Sequence, residues 1–196
     1  MRAAGAAGTV KRHMPERLSN HVTLEQPELQ LGEGPDRTFR LVASMEIPHR
    51  PPEVFEFFAD AYRLEVITPP FLRFHVLTPP PIHMEVGTRI DYRLRVRGLP
   101  LRWTSEITAW EPPVRFVDEQ VRGPYRLWVH EHRFTSTTPG TLIEDDVCYS
   151  MPGGAAANQV IVARDLRAIF EYRRSRLQEL MAARGRDPGA SVSRSR

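Results

Sequence analysis

Between residues 79 and 140 the chain is cut by glycine and proline at intervals of about one strand length. The breaks are Pro79-Pro80-Pro81, Gly98-Leu99-Pro100, Pro112-Pro113, Gly123-Pro124 and Pro139-Gly140. With the chain on either side they delimit Leu72–Leu77, Thr88–Arg97, Leu101–Trp110, Val114–Val121, Tyr125–Phe134 and Thr141–Ser150. All six segments read as strands. Parallel neighbours would need crossovers of a dozen or more residues, and these breaks are far shorter. The punctuation therefore predicts successive hairpins and an antiparallel meander.

Period-two alternation says how that meander is buried. At 89–97, Ile90, Tyr92, Leu94 and Val96 fall on one face, and Arg89, Asp91, Arg93, Arg95 and Arg97 on the other. One face is covered and one is wet. Ahead of the meander, Phe39–Ile47 reads as a further strand. Pro51 then opens a helix with Val54, Phe55 and Phe58 on one side. A short helix over Arg63–Ile67 stops before Pro69-Pro70, because the residue preceding a proline is pushed out of the helical region. After Gly153-Gly154, residues 156–182 carry Val162, Leu166, Ile169, Phe170, Leu177, Leu180 and Met181 at helical spacing. Such a helix is ~40 Å long, enough to cross the sheet. The expected fold is α+β: a seven-stranded curved antiparallel sheet, two short helices, and a long C-terminal helix closing over a cavity.

This domain occupies 38–183. Residues 1–37 are rich in Ala, Gly and Arg without any period, and read as disordered, with Met14 as an alternative start. The tail 184–196 is low-complexity and basic and reads the same way.

Composition narrows the function classes. All but one of the 27 basic residues are arginine, Lys11 being the exception. They alternate along strands and do not form tracts, which suits a solvated sheet face with cross-strand ion pairs better than a nucleic-acid surface. No specific nucleic acid is expected. No apolar stretch approaches the length of a membrane span, and the N-terminus has no apolar core of a signal peptide. A single cysteine, Cys148, excludes an internal disulfide and fits a reducing compartment, so the cytoplasm is the default location. The oligomeric state stays open.

The order strand, two short helices, six-strand meander, long terminal helix resembles the helix-grip layout of the START/birch-allergen-like superfamily (SRPBCC), in particular its bacterial polyketide cyclase/dehydrase-like branch. The residues carrying the resemblance are PPEVFEFFADAYRLEVITPPFLRF at 51–74, GTRIDYRLRVRGLPLRW at 87–103, WEPPVRFVDEQVRGPYRLWVHEHRF at 110–134, GTLIEDDVCY at 140–149 and ARDLRAIFEYR at 163–173. The resemblance implies a gap between sheet and helix that holds a hydrophobic ligand. It carries no shared catalytic signature, since the superfamily contains carriers, receptors and enzymes alike.

The stretch Trp128-Val129-His130-Glu131-His132-Arg133-Phe134 holds the most chemistry. Trp128, His130, His132 and Phe134 share a face, and the two large apolar members place it inward. The histidines are then wall residues satisfied by neighbouring strands, ligand contacts, or an acid–base pair. A metal site is not expected: two ligands two residues apart on a strand are feasible, but the sequence shows no third nearby, and Cys148 is an uncertain candidate. Asp118 lies on a face with Phe116 and Gln120, and Asp145 on one with Ile143, Val147 and Tyr149. If both faces are inward, buried carboxylates need a cation. Arg173, alone in the middle of the apolar helical stripe, could supply it by reaching Asp145 first or Asp118 second; otherwise it lies at the stripe's edge and snorkels outward. Tyr92, Trp103 and Tyr149 are candidate cavity aromatics, Trp110 a rim or anchor residue, and Cys148 inert. The proline clusters at 69–70 and 79–81 would stiffen loops at the cavity mouth.

These residues support a binder or carrier of a small hydrophobic or amphipathic molecule, such as a lipid, a polyketide-like aromatic or a quinone, with no cofactor. The alternatives are a cyclase/dehydrase-type enzyme using His130, His132 or Asp145 as acid or base, and a protein-interaction module using the arginine-rich outer face.

Overall fold

A computed structural model of the chain describes residues 28–30, 38–153 and 162–184. The strands are β1 (Glu28–Gln30), β2 (Phe39–Ile47), β3 (His75–Val76), β4 (Arg89–Val96), β5 (Leu99–Glu111), β6 (Arg115–Arg122), β7 (Leu127–Ser136) and β8 (Thr141–Ser150). They form one antiparallel sheet in the order β1-β2-β8-β7-β6-β5-β4-β3. From β4 to β8 the sheet is a plain meander, because each Gly/Pro break allows only a reversal. The helices are α1 (Pro51–Ala59), α2 (Arg63–Val66) and α3 (Ala163–Arg184), with a single 3-10 turn at Pro70–Leu72. This is the helix-grip fold. Two differences from the sequence reading concern its edges. β1 adds a three-residue strand against Arg40–Val42, making eight strands among the described residues where seven were expected. The strand expected at 72–77 keeps only His75–Val76, since Leu72 ends the 3-10 turn that starts at Pro70 and Arg73 behind it is left-handed, with φ of 43°. The start of the expected terminal helix, 156–161, lies outside the described residues, as do residues 1–27, 31–37 and 185–196.

Local chemistry accounts for the elements. β4 alternates exposed and buried residue by residue, as its Arg/apolar pattern requires. Its link to β5 is the two-residue turn Arg97-Gly98, with φ of 51° and 82°. Both residues are left-handed, the type I′ geometry that matches strand twist and favours glycine. At the β7–β8 turn, a Cβ on Gly140 would lie 2.1 Å from the Ile47 carbonyl oxygen, so only glycine lets that turn pack under the end of β2. The Thr141 hydroxyl, fully buried, donates to the His49 carbonyl at 2.6 Å and ties the same corner.

The helices close the inner face in two places. α1 buries Val54, Phe55 and Phe57, with Phe58 half-buried, so the face of α1 is one residue wider than the Val54/Phe55/Phe58 side expected. Phe55 sits among Trp110, Phe116 and Phe134 at centroid distances of 5.1, 5.9 and 5.3 Å. Trp110 is therefore a packing residue beneath α1. α3 lays Leu166, Phe170, Leu177 and Met181 on the sheet, and Val162 just before it is buried there too. Its first turn is also held from outside, where Arg97 donates twice to Asp165 at 3.1 Å. On the wet face Arg89 pairs with Glu106 at 2.6 Å and Arg40 with Asp146. The outer arginines thus spend part of their charge across strands. No described helix is long and apolar enough to cross a membrane.

Candidate functional site

Between the two places where helices touch the sheet lies a cavity of about 390 Å³. Its floor is the inner face of β4–β7, through Ile90, Tyr92, Trp103, Ile107 and Trp128. Its roof is Leu166, Ile169, Phe170 and Arg173 of α3, and its side is Phe57, Phe58 and Leu64 from α1 and α2. The walls are mostly apolar, with one polar cluster set into the floor.

That cluster is built by register. β6 places Asp118 directly opposite His130, and β8 places Asp145 directly opposite His132. The two imidazoles, two residues apart on β7, lie face by face but tilted by 36°, with centroids 3.8 Å apart. Each ring meets both carboxylates. His130 Nε2 is 2.9 Å from Asp145 Oδ1, and its Nδ1 is 3.6 Å from Asp118 Oδ2. His132 Nε2 is 3.2 Å from Asp118 Oδ2, and its Nδ1 is 2.8 Å from Asp145 Oδ1. The last contact is close but lacks hydrogen-bond geometry, so His132 Nδ1 is a buried nitrogen without a hydrogen-bond partner. The Ser105 hydroxyl donates to Asp118 Oδ1 at 3.3 Å and receives the Trp103 indole N–H at 2.9 Å. Phe116 stacks on His132 at 4.2 Å, fixing that ring from the other side.

Burial and pairing pull the four groups apart electrostatically. Burial alone would raise both carboxyls, but hydrogen bonds and charge from the histidines outweigh it and hold Asp118 and Asp145 below the usual carboxylate range. His130 is pushed down by burial and by the charge of His132. His132 suffers the same burial, yet its hydrogen bond to Asp118 and the charge of both aspartates raise it. Near neutral pH the cluster holds an imidazole that favours its proton beside one that releases it. On the outer face Cys148 goes the opposite way to a reactive thiol, pushed up by burial and by Asp146.

The structure sorts the sequence candidates. Tyr92, Trp103, Asp118 and Trp128 line the cavity, as do His130, His132 and Arg173. Phe134, Asp145 and Tyr149 do not. Phe134 faces inward but is covered by Phe55 and Phe58 of α1. Tyr149 is fully buried in the cluster formed with Phe39, Val162 and Leu166. Asp145 stands behind the histidines, away from the cavity. The pairing of Arg173 with Asp145 or Asp118 is also corrected: its guanidinium lies over the Phe170 ring at 5.0 Å, and its Nε has no hydrogen-bond partner. The histidines already occupy the carboxylates, so no cation from the helix is required. Gln120 turns away to clasp the Tyr125 backbone. Leu72 and Phe74, after Pro69-Pro70, line the cavity, whereas Pro79–Pro81 do not. Ser105 went unnoticed in the sequence, although it shares the inner face with Trp103 and Ile107 by simple alternation.

Residues 47–171 match the family model described as polyketide cyclase / dehydrase and lipid transport. No curated protein sequence matches the chain. Among solved structures, protein Ms6760 from Mycobacterium smegmatis is similar with a TM-score of 0.58 and 19% identity, over 81% of this chain and 97% of that one. TTHA0849 from Thermus thermophilus gives 0.56 and 20%, over 74% and 97%. Major latex-like protein 151 from Panax ginseng gives 0.57 and 13%, again over 74% and 97%. At such identities the likeness is one of fold.

Proposed function

This chain belongs to the polyketide cyclase/dehydrase and lipid transport family, and we propose that it binds a small hydrophobic or amphipathic molecule between its sheet and its long helix. The observation that carries this reading is the cavity: about 390 Å³, apolar on nearly every wall, with one polar cluster in its floor. Its volume falls in the range of small-molecule sites, and a few convergent polar groups in an apolar pocket are what orient a ligand. A lipid chain, a polyketide-like aromatic or a quinone would bury its apolar body against Tyr92, Trp103, Trp128 and Phe170. Its oxygen function would meet Asp118 and His132. Arg173, stacked but not hydrogen-bonded through Nε, offers a second polar contact from the roof. The family description and the single, unreactive cysteine fit a soluble cytoplasmic carrier.

Native mass spectrometry of freshly purified protein, followed by denaturation and identification of the released molecule, tests the class. Tryptophan fluorescence tests the place. An aromatic probe such as 1-naphthol should quench emission, and Trp103→Phe and Trp128→Phe should remove most of the change while Trp110→Phe leaves it. Quenching carried by Trp110 would refute the assignment.

A second reading, a cyclase- or dehydratase-type enzyme, is favoured by the fact that Asp118, His130 and His132 face the cavity as a connected acid–base set. His130→Ala or His132→Ala should then lower turnover by ~100-fold or more while binding persists. Binding with no turnover of any aromatic polyketide-like substrate would leave the carrier reading alone.

A further inference from the structure

We infer that Asp118, His130 and His132 form a site for one divalent transition-metal ion, open toward the cavity and anchored from behind by Asp145. The inference goes beyond ligand binding and does not depend on it.

The donors come from two adjacent strands, which is why the linear sequence hides the set. His130 and His132 point inward from β7 at positions two apart, and β6 brings the third donor, Asp118, across from His130. Their three ligand atoms lie within 4.8 Å of one another. Asp118 Oδ2 is already 3.2 Å from His132 Nε2 and 3.6 Å from His130 Nδ1. Bonds of ~2.0–2.1 Å to a tetrahedral ion put neighbouring donor atoms about 3.3 Å apart, so both spacings are close to those of a chelate.

The outer shell is in place as well. Metal-bound imidazoles usually give their second nitrogen to a carboxylate, which fixes tautomer and ring angle. Here both second nitrogens, His130 Nε2 and His132 Nδ1, stand at 2.9 and 2.8 Å from the same oxygen of Asp145. His132 Nδ1 has no hydrogen-bond partner as the ring now lies. A small rotation that carries Nε2 onto an ion would align Nδ1–H with Asp145. Charge also balances: the carboxylates of Asp118 and Asp145 and two neutral imidazoles are neutralised by one divalent cation. The three donors line the cavity and Asp145 does not, so the remaining coordination positions face the space where water or an organic ligand would sit. Three protein ligands with an open position is the pattern of a reactive rather than a structural ion. Two imidazoles and one carboxylate favour zinc, cobalt(II) or iron(II) over calcium or magnesium.

The test uses the full chain stripped with a chelator, then titrated with cobalt(II) under visible spectroscopy and with zinc chloride by calorimetry. One equivalent should bind, with a cobalt ligand-field band that zinc abolishes. Asp118→Asn should weaken zinc at least 10-fold. Asp145→Asn should weaken it about 10–100-fold, the usual reach of an outer-shell carboxylate. His83→Ala, at an exposed imidazole, should change nothing. Circular dichroism confirms that each variant is folded, and the wild-type cobalt spectrum stands even if a variant is not. Absence of the band, or binding that Asp118→Asn and Asp145→Asn leave intact, would overturn the site.

Discussion

Replacing Asp145 by asparagine tests whether the cluster is a clamp or merely a polar lining. The Asp145 side chain is 10% exposed and meets His130 at 2.9 Å and His132 at 2.8 Å. Hydrogen bonds to a charged group contribute ~1.5–3 kcal/mol each, against about 0.5–1.5 for neutral ones. Asparagine keeps the shape and one acceptor, so His130 retains a neutral bond while His132 loses its counter-charge. The expected loss is ~2–4 kcal/mol, and Asp145→Ala should reach ~3–5, as for a buried pair stripped of one partner. Against a total of ~5–15 kcal/mol for a domain, that is a large fraction. Urea denaturation in the presence of a chelator measures it, with the midpoint lowered and the slope unchanged. Combining Asp145→Asn with His132→Gln should give a coupling of about 1 kcal/mol or more, because the two side chains share one contact. A loss below ~1 kcal/mol, or additive effects, would show that the carboxylate does not hold the histidines.

The remaining predictions concern the helix, the core and alkaline pH. Arg173→Leu should change stability by no more than ~1 kcal/mol, or raise it, because the guanidinium has no ion pair to lose; a clearly larger loss would mean that it does reach a carboxylate. Leu177→Ala, at a side chain that is 1% exposed, should cost ~2–5 kcal/mol in the same denaturation assay and loosen α3 from the sheet. Burial pushes the Tyr92 and Tyr125 phenols well above their ordinary value, so the native state keeps protons that the unfolded chain releases near pH ~10. Stability should therefore hold below that pH and fall as pH rises through it, with both phenolate bands emerging only as the protein unfolds; ionisation of either tyrosine before the circular-dichroism transition would contradict its placement.

Much of this molecule follows from local rules. Gly98 stands where the backbone is left-handed, a turn that side chains resist. The Arg/apolar alternation of β4 says which face is wet, and the period of α3 says which stripe is covered. Those are properties of a few neighbouring residues, and they carry from sequence to structure unchanged. The shared face of Trp128, His130 and His132 belongs to the same class. Cross-strand contact does not. That Asp118 meets His132, and that one oxygen of Asp145 meets both rings, depends on the register of three strands, in which a slip of one residue would turn these groups to the other face. Depth is likewise a tertiary matter. Phe134 and Tyr149 face inward as their alternation requires, yet α1 and α3 press onto them and leave the cavity to residues between. Arg173 shows the limit most clearly. Its position in the stripe was readable from helical spacing, but its lack of a carboxylate partner was decided by two histidines from a distant strand that had already taken both aspartates.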